Sequence, residues 1–125
     1  MKNALKIMVA AALLAITAPA LAADFGTPIK QIDGKPMVKD DKNVLTVQEV
    51  ATTALLAAYQ DEPNLSGIEK NTRFWLARKI QENPKNPALT ADETKTIKDL
   101  VAKAYSPLIV GQVWQLLDPA TVPTK

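Results

Sequence analysis

From Thr46 onward, apolar residues recur at intervals of three and four, the spacing that lines one side of an α-helix. Short polar and proline-containing segments interrupt this pattern three times, so it predicts four helices. Each helix is expected to begin after a Ser or Thr, at Thr46, Ser66, Thr90 and Ser106. The first helix is expected to run to the Asp61-Glu62-Pro63 stop, and the last to end before Pro119.

Three of these starts share a capping pattern. A hydroxyl residue at the N-cap is followed three positions later by glutamate, in the pairs Thr46 and Glu49, Ser66 and Glu69, and Thr90 and Glu93. Such a pair forms a capping box, in which each side chain accepts a hydrogen bond from the other residue's backbone N–H. We therefore expect three boxes.

The fourth predicted helix, 107–117, differs from the others because apolar residues cover most of its circumference. Only Gly111, Gln112 and Gln115 form a polar strip. A helix of this kind needs to be surrounded by other structure. The interpretation that we favour is a central helix buried by the other three. The alternative is that one side meets a second subunit or a partner, where Gly111 would allow a close approach.

Residues 23–45 contain glycines, prolines and a charged run, and they lack a helical pattern. The Asp33-Gly34 pair suggests a short hairpin, and an irregular arm is the alternative. Residues 119–125 are expected to be a disordered tail. The predicted fold is therefore all-α: a small four-helix domain, 46–118, preceded by the arm 23–45.

The first 22 residues have the organisation of a secretory signal peptide. Lys2 and Lys6 precede an apolar stretch, which ends in the small-residue pattern of Ala20-Leu21-Ala22. We expect cleavage between Ala22 and Ala23 and a periplasmic or secreted protein of a Gram-negative-type bacterium. An uncleaved membrane anchor is the alternative, but the apolar stretch is shorter than the about 20 residues that a spanning helix needs.

The amino-acid composition restricts the kinds of functional site that the chain can form. The chain has no histidine and no cysteine, which excludes imidazole bases, Cys-His nucleophiles and zinc sites made of these ligands. The whole chain has 15 basic and 13 acidic residues, and losing Lys2 and Lys6 makes it neutral. A neutral domain gives no electrostatic reason to bind nucleic acid. We expect no catalytic residues, no cofactor, no metal site, and no membrane association after cleavage.

The candidate binding residues are Phe74, Arg78, Gln112 and Gln115. In the second helix, the wheel places Trp75, Leu76 and Ile80 inward and leaves Phe74 on the side of Arg78. An exposed aromatic residue beside an arginine is typical of a protein-contact hot spot. The alternative for Phe74 is burial under the arm. Gln112 and Gln115 are the polar residues of the apolar fourth helix.

Several segments resemble a set of small, uncharacterised proteins encoded by tailed phages and prophages. The similarity is carried by the run from Asp61 to Lys70, by Arg73 with Leu76–Ile80, by Leu89-Thr90, and by Pro107–Trp114, within about residues 33–117. It includes no catalytic motif. We expect an exported protein that binds an unknown protein partner, as an envelope or prophage-related modulator. The alternative is an assembly component that forms a homo-oligomer through 107–117.

Overall fold

The computed structural model describes residues 23–121 and residue 123. The described chain is mainly helical and has the four expected helices: α1 Val47–Leu56, α2 Gly67–Glu82, α3 Ala91–Ala104 and α4 Pro107–Leu117. Three isolated antiparallel bridges occur in it, and no β-sheet is formed within this part of the chain. The predicted signal peptide, including Ala22, lies outside the described residues, and Ala23 is buried.

Helix α1 is shorter than expected. It ends at Leu56, and the following Ala57 is extended, so the predicted stop near Pro63 is wrong. The hydroxyl of Tyr59 donates a 2.6 Å hydrogen bond to the carbonyl oxygen of Ala54. This bond satisfies one of the carbonyls that the helix end leaves free. A side chain from beyond the helix therefore stabilises the earlier stop.

The central helix is α1, not α4. Its buried residues are Val47, Val50, Ala51, Ala54 and Leu55, and it packs against both α2 and α3. The small alanines allow neighbouring helices to come close. Helix α4 packs mainly against α3 and the 3-10 turn Pro119–Thr121, so its predicted central position is wrong.

Helix α4 buries only one side. Ile109, Val113 and Leu117 face the core. Trp114 is half-buried, with its indole Nε1 donating a 3.1 Å hydrogen bond to the Lys98 carbonyl. A 3-10 turn, Pro119–Thr121, follows α4 directly, and the disorder predicted for 119–125 stays a prediction.

The arm that precedes α1 contributes to the core. Phe25 and Ile29 are both completely buried. The Phe25 N–H donates to the Pro84 carbonyl, and the Phe25 carbonyl accepts from the Gln48 N–H, each at 2.7 Å. These bonds join the arm to the start of α1 and to the end of α2. Further along, the arm turns at Gly34, whose φ of 91° favours glycine.

One of the three predicted capping boxes forms completely. Thr90 accepts a hydrogen bond from the Glu93 N–H, and the Glu93 carboxylate accepts one from the Thr90 N–H. Thr46 and Ser66 also accept from the backbone of their N3 residues. The Glu49 carboxylate, however, binds the Lys39 ammonium at 2.7 Å. The first predicted box is therefore only half formed.

Candidate functional site

The inward side of α2 is formed by Arg73, Leu76, Ala77 and Ile80. The remaining side of the helix, which includes Phe74, Trp75 and Arg78, is exposed to solvent. Trp75 is 55% exposed, so its predicted inward orientation is wrong. Phe74 is 43% exposed, as the sequence predicted, and it does not lie buried under the arm.

Arg73 occupies an inward position that an apolar residue would ordinarily take. Its guanidinium donates two hydrogen bonds to Glu62, from Nη1 at 2.9 Å and from Nη2 at 2.8 Å. Because Glu62 pairs with the guanidinium, the helix is rotated so that Arg73 lies inward and Trp75 outward. The sequence pattern could not reveal this rotation, since a helical wheel counts arginine as polar.

We define the α2 surface as Leu56, Phe74, Trp75 and Arg78. The Phe74 and Trp75 rings meet edge to face, with centroids 5.2 Å apart and an angle of 80° between their planes. The Arg78 guanidinium carbon lies 5.6 Å from the centroid of the Trp75 ring. The same guanidinium binds Glu82 at 2.7 Å. The sequence did not predict that Leu56 and Trp75 would join Phe74 and Arg78.

Two shallow grooves meet at Arg78. One has a volume of about 270 Å³ and lies between α1 and α2, where Leu56 and Phe74 form its apolar walls. The other, of about 360 Å³, lies between Trp75 and the loop that contains Pro87 and Ala88. The two aromatic rings therefore stand at the border of two depressions. A partner could place one side chain on each side of them.

The ion-pair cluster at the N-terminal half of α2 fixes the loop between α1 and α2. Glu62 accepts from Arg73 and lies 3.0 Å from the Lys103 ammonium. These bonds, first from Arg73 and then from Lys103, lower the pKa of Glu62 from 4.5 to about 2. Among the described residues, the Nε of Arg73 has no hydrogen-bond partner, and it lies 4.0 Å from Glu69. The i,i+4 contact of Arg73 with Glu69 is therefore weaker than its contact with Glu62.

The two glutamines predicted to bind a partner lie on α4 and are not part of the α2 surface. The Gln112 side chain accepts a hydrogen bond from the Lys30 N–H and donates one to the Lys30 carbonyl, both at 2.7 Å. Its amide is thus hydrogen-bonded within the molecule, and its role in binding a partner stays a prediction. Gln115 is exposed on the neighbouring turn of α4.

Two further kinds of site are not found among the described residues. Within them, no group of three or more carboxylates is placed to hold a metal ion. Nor is any helix in the described part long and apolar enough to cross a membrane. Comparisons of this chain with protein-family models, curated proteins and solved structures gave no match.

Proposed function

We propose that this protein binds another protein through the α2 surface and does not act by catalysis. The observation that carries the proposal is the exposed pair of Phe74 and Trp75, bordered by Arg78 and by two grooves. Aromatic residues and arginine are enriched among the residues that contribute most to protein–protein affinity. The absence of histidine and cysteine from the sequence agrees with a binding role.

The α2 surface is also held in place before any partner arrives. Phe74 and Trp75 restrain each other through their edge-to-face contact, and Arg78 is held by Glu82 and by the Trp75 ring. Ordering a flexible side chain on binding costs about 0.5–1.5 kcal/mol. Side chains that are already ordered avoid much of this cost. The surface is therefore suited to binding with little rearrangement.

The proposal includes export. The sequence of residues 1–22 supports a signal peptide that is cleaved between Ala22 and Ala23 and that delivers the protein to the periplasm or the medium. Because such delivery would bring the protein to the cell envelope, we propose an envelope or prophage-related modulator. Intact-mass measurement of the protein recovered from a periplasmic fraction tests this part. A chain that keeps Met1 and stays in the inner membrane would contradict it.

The binding role is tested by capture of partners from a periplasmic fraction. We expect Phe74→Ala and Arg78→Ala each to weaken capture of the same partner at least tenfold, because hot-spot truncations cost about 2 kcal/mol or more and about 1.4 kcal/mol is tenfold in affinity. The melting temperature should stay close to that of the unsubstituted protein, since both side chains are partly exposed and neither belongs to the hydrophobic core.

Ile68→Ala is the matched control. Ile68 lies on the same helix and is 82% exposed, yet it lines neither groove. This variant should capture the partner as the unsubstituted protein does. The proposal is wrong if Phe74→Ala and Arg78→Ala retain the partner, or if Ile68→Ala weakens capture equally.

A further inference from the structure

A pocket of about 380 Å³ lies between the end of α1 and the loop that leads to α2. We name it the loop pocket and define it by residues that line it: Ala57, Ala58, Tyr59, Leu65, Lys70 and Arg73. Its walls are mainly apolar. Leu56 lines the loop pocket and also belongs to the α2 surface, whereas Phe74, Trp75 and Arg78 do not line the pocket. An apolar side chain of a ligand therefore fits a space that the proposed partner site leaves unused.

The walls of the loop pocket are held in place by bonds within the molecule. The Tyr59 hydroxyl is bound to the Ala54 carbonyl, and the Arg73 guanidinium is bound to Glu62, which also lines the pocket. In the loop, the Glu62 N–H donates to the Tyr59 carbonyl at 3.1 Å, and the Leu65 N–H donates to the Glu62 carbonyl at 3.4 Å. A ligand therefore meets a pocket that is already formed, which lowers the cost of binding.

Unpaired backbone groups border the loop pocket where α1 ends. Ala57 is extended, with φ −76° and ψ 153°, so the chain leaves the helix there. The following Ala58 is exposed, and neither its N–H nor its carbonyl oxygen forms a hydrogen bond with any described residue. A residue of an extended chain can exchange two hydrogen bonds with such a residue, as paired residues of antiparallel strands do. The backbone of a peptide therefore finds partners beside the pocket.

The loop pocket also carries one unpaired positive charge. Of its charged lining residues, Glu62 is bound by Arg73 and by Lys103, so its carboxylate is already neutralised. Lys70, in contrast, forms no ion pair with any described residue. Its neighbour Glu69 lies against Arg73 instead. A ligand carboxylate at this side of the pocket would therefore gain a charge-assisted hydrogen bond from an ammonium group that no described acid uses.

We propose that the loop pocket binds the C-terminal end of an extended peptide. The last side chain of the peptide is apolar and fills the pocket, and its backbone pairs with the N–H and the carbonyl of Ala58. The terminal carboxylate binds the Lys70 ammonium. A C-terminal residue fits better than an internal aspartate or glutamate, because it supplies the carboxylate from its main chain and keeps its side chain apolar, as the pocket walls require.

The peptide site does not rest on the proposed function. Phe74 and Arg78, whose truncation tests the α2 surface, do not line the loop pocket. Phe74→Ala and Arg78→Ala should therefore bind the peptide as the unsubstituted protein does. Failure of the proposed function is read from partner capture by these two variants, and failure of the peptide site is read from the titrations below.

An NMR titration tests the peptide site, using the protein in the form that producing cells accumulate. The probe is a tetrapeptide with an acetylated N-terminus, three alanines and a C-terminal leucine that has a free carboxylate. We expect binding with a Kd below about 1 mM. The backbone amide signal of Ala58 should shift during the titration, and its exchange with water should become slower, because its N–H then has a hydrogen-bond partner.

The charge contact is tested by a double-mutant cycle. The same peptide with a C-terminal amide should bind about threefold more weakly or worse, and Lys70→Gln should weaken binding of the free acid by a similar factor. The two losses should not add, because each removes the same contact. Lys85→Gln is the matched control, since Lys85 is also exposed and forms no ion pair with a described residue, yet it does not line the pocket. Both variants should keep the melting temperature of the unsubstituted protein.

The inference is wrong if the Ala58 amide signal does not move, if the amidated peptide binds as tightly as the free acid, or if Lys85→Gln weakens binding as much as Lys70→Gln. Octanoate separates a peptide site from a site for any apolar carboxylate, because it has an apolar chain and a carboxylate but no backbone amides. It should bind more weakly than the peptide. Equal binding of octanoate would show that Ala58 contributes nothing and would also overturn the inference.

Discussion

At the scale of single residues, Arg73 decides which side of α2 faces solvent. Its nearest sequence partner is Glu69, but its guanidinium makes its two short bonds to Glu62 in the preceding loop. This contact lets a charged residue take an inward position, with 9% of its side chain exposed. The adjacent Phe74 and Trp75 consequently face outward and become available to a partner.

The Glu62 carboxylate should make the stability of the folded protein depend on pH in the acidic range. Its pKa falls from 4.5 to about 2 in the folded protein, because Arg73 and Lys103 donate hydrogen bonds to the charged form. The unfolded chain therefore binds the proton more tightly, and the stabilisation is lost as the pH falls from about 4.5 towards 2. Glu62→Gln should lower the melting temperature at neutral pH and reduce its decline over this window.

Thermal melting of both proteins at several pH values checks this prediction. At the lowest pH, the two melting temperatures should approach each other, because the carboxyl of the unsubstituted protein is then protonated. Parallel curves over the whole range would show that Glu62 does not contribute through its charge.

At the scale of elements, the helix starts differ in how completely they are capped. The Thr90 hydroxyl accepts the Glu93 N–H at 3.1 Å, and the Glu93 carboxylate accepts the Thr90 N–H at 2.9 Å. At Thr46 the hydroxyl accepts the Glu49 N–H at a longer 3.4 Å. The same sequence pattern thus gives contacts of different quality: the Glu49 carboxylate binds Lys39 of the arm, whereas the Glu93 carboxylate binds both Lys79 and the Thr90 N–H.

Removing the two caps should therefore have unequal effects. An N-cap substitution by alanine costs about 0.5–2 kcal/mol. We expect Thr90→Ala to lie near the upper end of this range and Thr46→Ala near its lower end. Urea denaturation measures both from the midpoints and a common slope. Equal losses would mean that the hydrogen bond from the Thr90 N–H to the Glu93 carboxylate adds no measurable stability.

At the scale of the whole molecule, the arm and the helices form one core. Phe25 and Ile29 are as fully buried as the central residues of α1, although residues 23–45 contain no helix. A domain of about 100 residues has a stability of only 5–15 kcal/mol. The free energy lost when one large aromatic side chain is removed from the core is therefore a large fraction of this stability.

Phe25→Ala should lower the free energy of unfolding by about 3–5 kcal/mol. Val38→Ala is a control within the same arm, because Val38 is 57% exposed and its truncation should cost little. Denaturant unfolding followed by circular dichroism measures both. If Phe25→Ala unfolds at the same midpoint as the unsubstituted protein, the arm is not part of the cooperative unit.

The sequence by itself determined where the helices begin. Capping hydroxyls, prolines and apolar spacing act through contacts within about one helical turn, and such contacts can be read from neighbouring positions. Four helices at the expected starts follow from these local rules. The exposure of Phe74 agrees with the helical spacing, which left burial under the arm as the alternative.

Only the tertiary structure decided which helix is central, why Trp75 is exposed, and what Gln112 does. Each of these depends on residues far apart in the chain: α1 packs between α2 and α3, Glu62 of the loop holds Arg73, and Lys30 of the arm binds Gln112. A periodic pattern fixes which residues share a face of a helix. It does not fix what that face contacts, because burial depends on the shapes and partners that the rest of the chain supplies.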